Sequence, residues 1–271
     1  MPLRIVQSKQ NARLKELRRA LAHPLRDPSS GGRRLAGIEG PNLIEEALRA
    51  GLRFDCIFLA QGAEHLLESL PLPPEAEILL LPKDLLDSAL ATETPQPIAA
   101  LIEPPNWTWP QILAANSTTA PIVIVLAGLQ DPGNLGTILR SAEAFAATSV
   151  LSLPGTVSAW NPKAVRASAG SIFRVPILAA TAEECFSNLR QAGIKVLTTA
   201  VRSAQPANQV DLAGPIALLI GNEGNGVSQD LAAQADLAIT IPCPGPVESL
   251  NASSAASIFL YEASRQRKNR P

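Results

Sequence analysis

The sequence has 271 residues, of which 46% are hydrophobic and 17% are charged, and its formal net charge is -1. This length and composition predict a globular protein with room for two domains, while three widely spaced cysteines exclude a disulfide framework and a cysteine zinc site. We find no signal peptide and no apolar run of membrane-spanning length, so the expected location is a reducing cytoplasm.

The charges are unevenly distributed along the chain. The first 34 residues hold nine basic and two acidic side chains, so they carry a net charge of +7 and the remaining residues carry −8. Such asymmetry is typical of a surface that contacts phosphates, but a solvated helix face explains it equally well. The nine basic residues are Arg4, Lys9, Arg13, Lys15, Arg18, Arg19, Arg26, Arg33 and Arg34.

The first hundred residues are predicted to alternate between short helices and strands. Residues 11–22 form an amphipathic helix in this prediction, with leucines on one face and basic residues on the other. The further predicted helices are 40–50, 64–69 and 83–90, and the predicted strands are 54–59, 78–81 and 98–102. This alternation describes a small α/β sandwich over residues 1–103. Residues 104–119 are predicted to be a Pro-rich linker, with Trp107 and Trp109 packed against one of the domains.

From residue 120 the pattern predicts a βαβα domain with a parallel sheet. The predicted strands are 122–127, 150–153, 195–199, 216–220 and 238–241, with an edge segment at 175–177. The predicted helices are 135–146, 163–169, 182–192, 229–235 and 251–267. The basic tail at 265–270 is predicted to be frayed.

Three loops at predicted strand ends have unusual chemistry, and in parallel sheets ligands bind beyond the carboxyl ends of strands. The loop that leads to Asn134 lacks the Lys and Ser or Thr of a phosphate-binding loop, which disfavours nucleotide hydrolysis. The second loop, 221–226, has its glycines in the order G-x-x-G-x-G, which is not the dinucleotide fingerprint. The third, 241–251, is rich in proline and brings Ser249 and Asn251 to the start of the last helix, where N-caps are found.

Together these loops offer a set of polar side chains without a metal set, a nucleophilic cysteine or a histidine base. The candidate catalytic residues are Asn134, Arg140, Glu223, Ser249 and Asn251. This set favours the positioning of two bound substrates over covalent or metal chemistry.

Three segments in this order resemble the motifs of the SpoU/TrmH branch of the SPOUT RNA methyltransferases. They are NLGTILRSA at 134–142, LIGNEGNGVS at 219–228 and IPCPGPVESLNAS at 241–253, with Cys243 where the family commonly has Met. The N-terminal region is similar, more diffusely, to the substrate-binding domain that precedes this catalytic domain in many relatives. Its matches are residues 8–11 with Lys15, Gly40 with Glu46 and Ala47, and residues 92–96, although Pro97 replaces a usual glycine.

The resemblance implies a ribosomal-protein-like RNA substrate-binding domain at 1–103 and a parallel-sheet methyltransferase domain with a deep trefoil knot at 120–271. It also implies a homodimer, no metal, and S-adenosylmethionine as the methyl donor for a ribose 2′-hydroxyl of RNA. The cofactor-binding residues that it implies are Thr199, Gly221, Ile241 and Leu250.

By the same resemblance, Arg140 activates the ribose hydroxyl. Because a guanidinium holds its proton firmly, we expect Arg140 to bind the adjacent phosphate and stabilise the developing alkoxide. Asn134, from either subunit, would hold Arg140 or the ribose, and Glu223, Ser249 and Asn251 would shape the site. The basic N-terminal surface would select the RNA by its shape. The separate N-terminal domain favours ribosomal RNA as the substrate. Two alternatives stay open, namely a methyltransferase that acts on transfer RNA and a catalytically silent RNA-binding protein of the same fold.

Overall fold

The computed structural model describes residues 3–23, 25, 34–73, 76–90, 92–113, 120–201, 203–247 and 249–268. The chain divides into two compact units, Met1–Asn106 with Trp160–Phe173, and Trp107–Ala159 with Arg174–Pro271. These units differ from the predicted domain limits, because the segment Trp160–Phe173 makes its contacts within the first unit. For example, a Cβ at Gly170 would lie 2.7 Å from the Cβ of Glu46.

The first unit contains a five-stranded mixed sheet with the order β1-β4-β3-β5-β2. Its strands are β1 Leu3–Ile5, β2 Ala36–Glu39, β3 Arg53–Ala60, β4 Glu77–Leu81 and β5 Ile98–Glu103. Strands β1, β4 and β3 are parallel, and β5 is antiparallel to β3 and β2. Its first four helices are α1 Ala12–Ala22, α2 Pro41–Arg49, α3 His65–Ser69 and α4 Lys83–Asp87. The sequence did not predict the short strands β1 and β2.

Helix α1 has the predicted amphipathic character, with Leu14 and Leu17 fully buried. Beside this buried face, Arg13 contacts the carboxylates of Asp55 at 2.7 Å and Glu77 at 3.3 Å. This arginine therefore ties α1 to the sheet and is not a free phosphate ligand. Five of these basic residues are exposed, namely Arg4, Lys9, Lys15, Arg19 and Arg34. Arg26 and Arg33 lie outside the described residues.

The second unit contains a seven-stranded sheet with the order β10-β12-β9-β11-β6-β7-β8, in which all pairings are parallel. Its strands are β6 Ile122–Leu126, β7 Ser149–Ser152, β8 Ile177–Ala179, β9 Lys195–Thr199, β10 Gln205–Pro206, β11 Ile216–Ile220 and β12 Leu237–Thr240. The central strands β6 and β11 are buried throughout, as apolar runs in a parallel sheet require. The predicted parallel α/β architecture is confirmed, and β10 is an additional strand.

The remaining helices are α5 Trp109–Leu113, α6 Pro132–Ala144, α7 Pro162–Ser168, α8 Ala182–Gln191, α9 Gln229–Ala232 and α10 Ala252–Lys268. Helix α5 lies inside the predicted linker, where Ile112 is fully buried. Trp107 and Trp109 pack against the core of the second unit, as expected for structural tryptophans. Residues 114–119 of the predicted linker lie outside the described residues. Within the described part of the chain, no helix is long and apolar enough to cross a membrane.

Several helix ends differ from the prediction, among them the start of α6 and the end of α10. Helix α6 begins at Pro132 rather than at residue 135, because Asp131 caps it by accepting the backbone N–H of Gly133 at 2.8 Å. The C-terminal helix continues to Lys268, so residues 265–268 of the predicted frayed tail are helical, and residues 269 and 270 lie outside the described residues. Its Arg267 donates to the backbone carbonyls of Pro121 at 3.2 Å and Gly214 at 2.8 Å.

Candidate active site

The loops that follow β6 and β11 are joined by one carboxylate. These strands are neighbours in parallel register, with Leu126 beside Ile220, so both loops emerge at the same edge of the sheet. Glu223 accepts hydrogen bonds from the backbone N–H groups of Gln130 at 3.3 Å and Asp131 at 3.2 Å. The first and second predicted loops therefore form one structure, as their strand-end positions led us to expect.

Asn134 is the centre of the polar cluster. It lies in the first turn of α6 and its residue is only 7% exposed. Its Nδ2 donates to Oε1 of Glu223 at 3.1 Å, and its Oδ1 accepts from Nδ2 of Asn251 at 3.0 Å. One side chain thus joins all three predicted loops.

Asn251 caps the last helix. Its Oδ1 accepts the backbone N–H groups of Ser253 at 2.9 Å and Ser254 at 3.3 Å, which are free donors in the first turn of α10. Ser249, the other predicted cap, is exposed and makes no hydrogen bond with the described residues. The hydroxyl that joins the cluster belongs instead to Ser253, which contacts the side chains of both Asn134 and Asn251. A sequence signal existed for Ser253, since it stands two residues after a capping Asn.

The second loop closes on itself around Gly221. Asn222 and Gly226 exchange backbone hydrogen bonds of 2.9 and 2.8 Å, and Asn222 Nδ2 donates to the carbonyl of Gly128 at 2.9 Å. A Cβ at Gly221 would lie 2.1 Å from the carbonyl carbon of Gly226. Only glycine therefore fits at position 221.

Arg140 does not join the cluster. It lies six residues after Asn134 on α6, so the two side chains leave the helix about 120° apart. Arg140 is exposed and forms no hydrogen bond or ion pair with the described residues. Within one chain, Asn134 is bonded to Glu223 and Asn251 and not to Arg140. The expectation that Asn134, from either subunit, holds Arg140 or the ribose stays a prediction.

The electrostatics of the cluster favour an ionised Glu223. Partial burial acts to raise the pKa of this carboxyl, but hydrogen bonds from Asn134 and from backbone N–H groups outweigh it, so the pKa lies below its ordinary value. Burial raises the pKa of the Cys185 thiol to about 12, which makes it an inert core residue. In the described residues, no group of three or more His, Cys, Asp or Glu is placed to hold a metal ion.

Two family models match the chain. The model of the SpoU rRNA Methylase family matches residues 121–261, and that of the RNA 2′-O ribose methyltransferase substrate-binding domain matches residues 38–108. The chain belongs to the SpoU rRNA methylase family. The predicted family is therefore confirmed.

Similar proteins and structures agree with this membership. The chain is 34% identical over 226 residues to the 23S rRNA (guanosine(2553)-2′-O)-methyltransferase RlmP of Bacillus subtilis, covering 83% of this chain and 86% of that protein. The SpoU methyltransferase AviRb from Streptomyces viridochromogenes, in complex with AdoMet, superposes with a TM-score of 0.81 and 26% identity, covering 97% of this chain and all of that chain. The AdoMet-bound rRNA methyltransferase from Sinorhizobium meliloti superposes with a TM-score of 0.81 and 26% identity, covering 97% and 98% of the two chains.

As a SpoU enzyme, this chain is an RNA 2′-O-ribose methyltransferase that uses S-adenosylmethionine. The predicted cofactor-binding residues suit this group. Thr199, Gly221 and Ile241 stand at the carboxyl ends of β9, β11 and β12, which lie side by side in the sheet. Three adjacent strand ends span about 10 Å, enough for an elongated cofactor. Leu250 directly precedes the cap of α10 and is half-buried.

Proposed function

We propose that this SpoU enzyme methylates one ribose 2′-hydroxyl of large-subunit ribosomal RNA. The similarity to a 23S rRNA methyltransferase over 83% of the chain supports this substrate class. A substrate-binding domain before the catalytic domain fits a structured RNA target. Because ribosomal RNA is the proposed substrate, we place the enzyme in the cytoplasm.

The observation that carries the catalytic proposal is the free guanidinium of Arg140. Bound S-adenosylmethionine supplies a methyl group that is already activated, so the protein has to orient a weakly acidic ribose hydroxyl and stabilise its negative charge. Arg140 has no partner in the described residues and is exposed. It is available to bind a backbone phosphate and the developing alkoxide, and the proton leaves to phosphate or water.

In this proposal, Asn134, Glu223 and Asn251 hold the three loops in one arrangement around the reacting groups. Thr199, Gly221, Ile241 and Leu250 hold the cofactor. Thr199 donates its hydroxyl proton to the carbonyl of Leu219 at 2.9 Å, so its contribution to the cofactor comes from its backbone. Ser249 is exposed beside the cap of α10, where its hydroxyl is free to contact the RNA.

We propose that the enzyme works as a homodimer. Large apolar side chains are exposed on one face of α10, since Ile258 is 41% and Tyr261 is 56% exposed. The ring of Tyr261 contacts that of Phe145, which follows α6, with 5.9 Å between centroids. Arg140 is exposed on α6. In a dimer that covers this face, Arg140 of one copy would lie near the strand-end loops of the other copy, so that it acts across the dimer.

We also propose that the segment after β12 passes through a trefoil knot, as the resemblance of the three motifs to the SPOUT RNA methyltransferases implies. Strand β12 pairs with β9 although β10 and β11 intervene in sequence.

We propose further that residues 1–103 form the RNA-binding domain. The exposed residues Arg4, Lys9, Lys15 and Arg19 would contact RNA phosphates there.

The RNA fraction that accepts methyl groups tests this proposal. Total RNA from cells that lack the enzyme is fractionated and incubated with the purified protein and radiolabelled S-adenosylmethionine. We expect label in large-subunit rRNA and none with Arg140→Ala. Label only in transfer RNA would overturn the substrate assignment. No label in any fraction, together with no cofactor binding, would favour a silent RNA-binding protein.

A further inference from the structure

A buried hydroxyl completes the polar cluster that joins the three motif loops. Ser253 is 8% exposed, and its Oγ lies 2.6 Å from Oδ1 of Asn251 and 3.2 Å from Oδ1 of Asn134. It was absent from the predicted site, where Ser249 was expected to supply the hydroxyl. We propose that Ser253 is a positioning residue for methyl transfer, which acts by fixing the side-chain amide of Asn134.

The direction of every hydrogen bond in the cluster is determined at its two ends. At one end, the backbone N–H groups of Ser253 and Ser254 can only donate, so the atom of Asn251 that faces them is Oδ1. The Nδ2 of Asn251 consequently faces Asn134, whose Oδ1 must accept. At the other end, an ionised Glu223 can only accept, so the Nδ2 of Asn134 faces it.

Ser253 adds a further donor to this chain of hydrogen bonds, whose directions are already set. Its hydroxyl has one proton and two amide oxygens within reach, one on Asn251 and one on Asn134. Without the hydroxyl, the Oδ1 of Asn134 would keep Asn251 as its only partner in the cluster. A terminal amide rotates in a broad, roughly two-fold well, so the loss would let the Asn134 amide move within the assembled site.

The same serine is joined to the helix that carries Arg140. Ser257 donates to the backbone carbonyl of Ser253 at 2.7 Å, and its Oγ lies 2.7 Å from Oγ of Ser141. Ser141 directly follows Arg140 on α6. The first two turns of α10 therefore contact α6 at two places, Asn134 and Ser141, one on each side of Arg140 along the helix.

Because the proposal rests on the proposed methyl transfer, its test includes a readout that needs no RNA. Purified Ser253→Ala is compared with Ser254→Ala, which removes an exposed hydroxyl one residue later on the same helix. The side-chain amide signal of Asn134 is observed by NMR after selective labelling of asparagine with 15N, and it is assigned by its loss in Asn134→Ala. We expect Ser253→Ala to shift or broaden this signal and Ser254→Ala to leave it unchanged.

Steady-state kinetics then separate positioning from packing. For Ser253→Ala we expect kcat to fall about tenfold, the effect of about one lost buried hydrogen bond. The KM for RNA and the Kd for S-adenosylmethionine should stay within about twofold of wild type. Ser253→Cys keeps the side-chain size and a weak donor, so it should give an intermediate kcat, and it replaces the alanine variant if that variant does not fold.

A wild-type kcat together with an unchanged Asn134 signal in Ser253→Ala would overturn the proposal. An equal loss of kcat in Ser253→Ala and Ser254→Ala would also overturn it, since this would indicate a general effect on the helix. If the Asn134 signal changes as expected but the wild-type enzyme methylates no RNA, the proposed function fails and the role of Ser253 in fixing the amide stands.

Discussion

The Nδ2 atom of Asn134 donates to Oε1 of Glu223 over 3.1 Å, although the two residues are 89 positions apart in the sequence. The same Glu223 carboxylate accepts the backbone N–H of Asp131, the residue that caps α6. The start of α6 and the glycine-rich loop after β11 are therefore held by one ionised group. This arrangement gives the Glu223 carboxylate a structural task, because the hydrogen bonds that it accepts hold the two loops together.

Replacement of Glu223 by Gln should lower both stability and activity by more than the loss of one charge alone would. If Oε1 of Gln accepts from Asn134, its NH2 group faces the backbone N–H of Gln130, so two donors oppose each other. We expect Tm to fall by about 2–4 °C, which corresponds to about 1 kcal/mol, and kcat to fall about tenfold. Differential scanning fluorimetry and methylation assays measure both, with Asp230→Asn on exposed α9 as the control. An unchanged Tm and kcat would show that the carboxylate is dispensable.

The pH dependence of stability should carry the signature of a lowered pKa at Glu223. A carboxyl whose pKa is lower in the folded protein stabilises the fold above its unfolded pKa of about 4.3, and this stabilisation is lost as pH falls through the folded value. The Tm difference between wild type and Glu223→Gln should therefore be constant above about pH 5.5 and shrink below about pH 4. A difference that disappears near neutral pH would mean that the folded pKa is raised.

Replacement of Arg140 by Ala should abolish catalysis without loss of cofactor binding. The Arg140 side chain is exposed and makes no hydrogen bond or ion pair with the described residues, so its removal should leave the fold intact. Loss of a group that stabilises developing charge reduces kcat by about 10²–10³. Calorimetric titration with S-adenosylmethionine and transfer of radiolabel to rRNA measure the two properties, and Thr137→Ala on the exposed side of α6 is the control. Wild-type transfer by Arg140→Ala would remove Arg140 from the mechanism.

Replacement of Gly221 by Ala should eliminate cofactor binding. The new Cβ would meet the carbonyl carbon of Gly226 at 2.1 Å and the nitrogen of Val227 at 2.3 Å, so the loop must open. Gly214→Ala is a matched control, because nothing lies within 4 Å of its Cβ. We expect the affinity for S-adenosylmethionine to fall at least about 100-fold in Gly221→Ala, as two or more buried backbone hydrogen bonds are displaced. Equal affinities of the two variants would contradict the assigned cofactor site.

Replacement of Arg267 by Ala should destabilise the second unit. Its guanidinium donates to the carbonyls of Ala120, Pro121 and Gly214, which tie the end of α10 to the start of β6. Hydrogen bonds to charged groups contribute about 1.5–3 kcal/mol, so we expect unfolding of this unit in urea to lose about 2 kcal/mol. Lys268→Ala, at an exposed position on the same helix, is the control. Equal stability of the two variants would mean that the helix end is held by other contacts.

Much of the second unit could be predicted from hydrophobic pattern alone. The limits of β11 were predicted correctly, because a strand buried on both faces has a continuous run of apolar residues. Strand β1 was missed because its three residues are exposed at the edge of the sheet. The predicted start of α6, at residue 135, was too late because the polar residues before it were assigned to the preceding loop. Asp131 is in fact the helix cap, and Pro132 is the first helical residue.

The site was predicted only in part, since a motif names residues without their contacts. Asn134, Glu223 and Asn251 do lie together, but Arg140 is on another side of α6 and Ser249 is exposed. Ser253 was missed although it stands two residues after the capping Asn251, because the sequence places several serines near this cap. Which hydroxyl reaches the cluster depends on the direction of the first turn of α10, which is set by tertiary packing.

The chemical position of the added methyl group is the most direct measurement of what this enzyme does. Large-subunit rRNA from cells lacking the enzyme is methylated by the purified protein and then hydrolysed in alkali. Alkaline cleavage requires a free 2′-hydroxyl, so ribose methylation protects one linkage. We predict a single protected linkage that is absent with Arg140→Ala. Label that is fully released as base-methylated mononucleotides, with every linkage cleaved, would contradict ribose methylation by this protein.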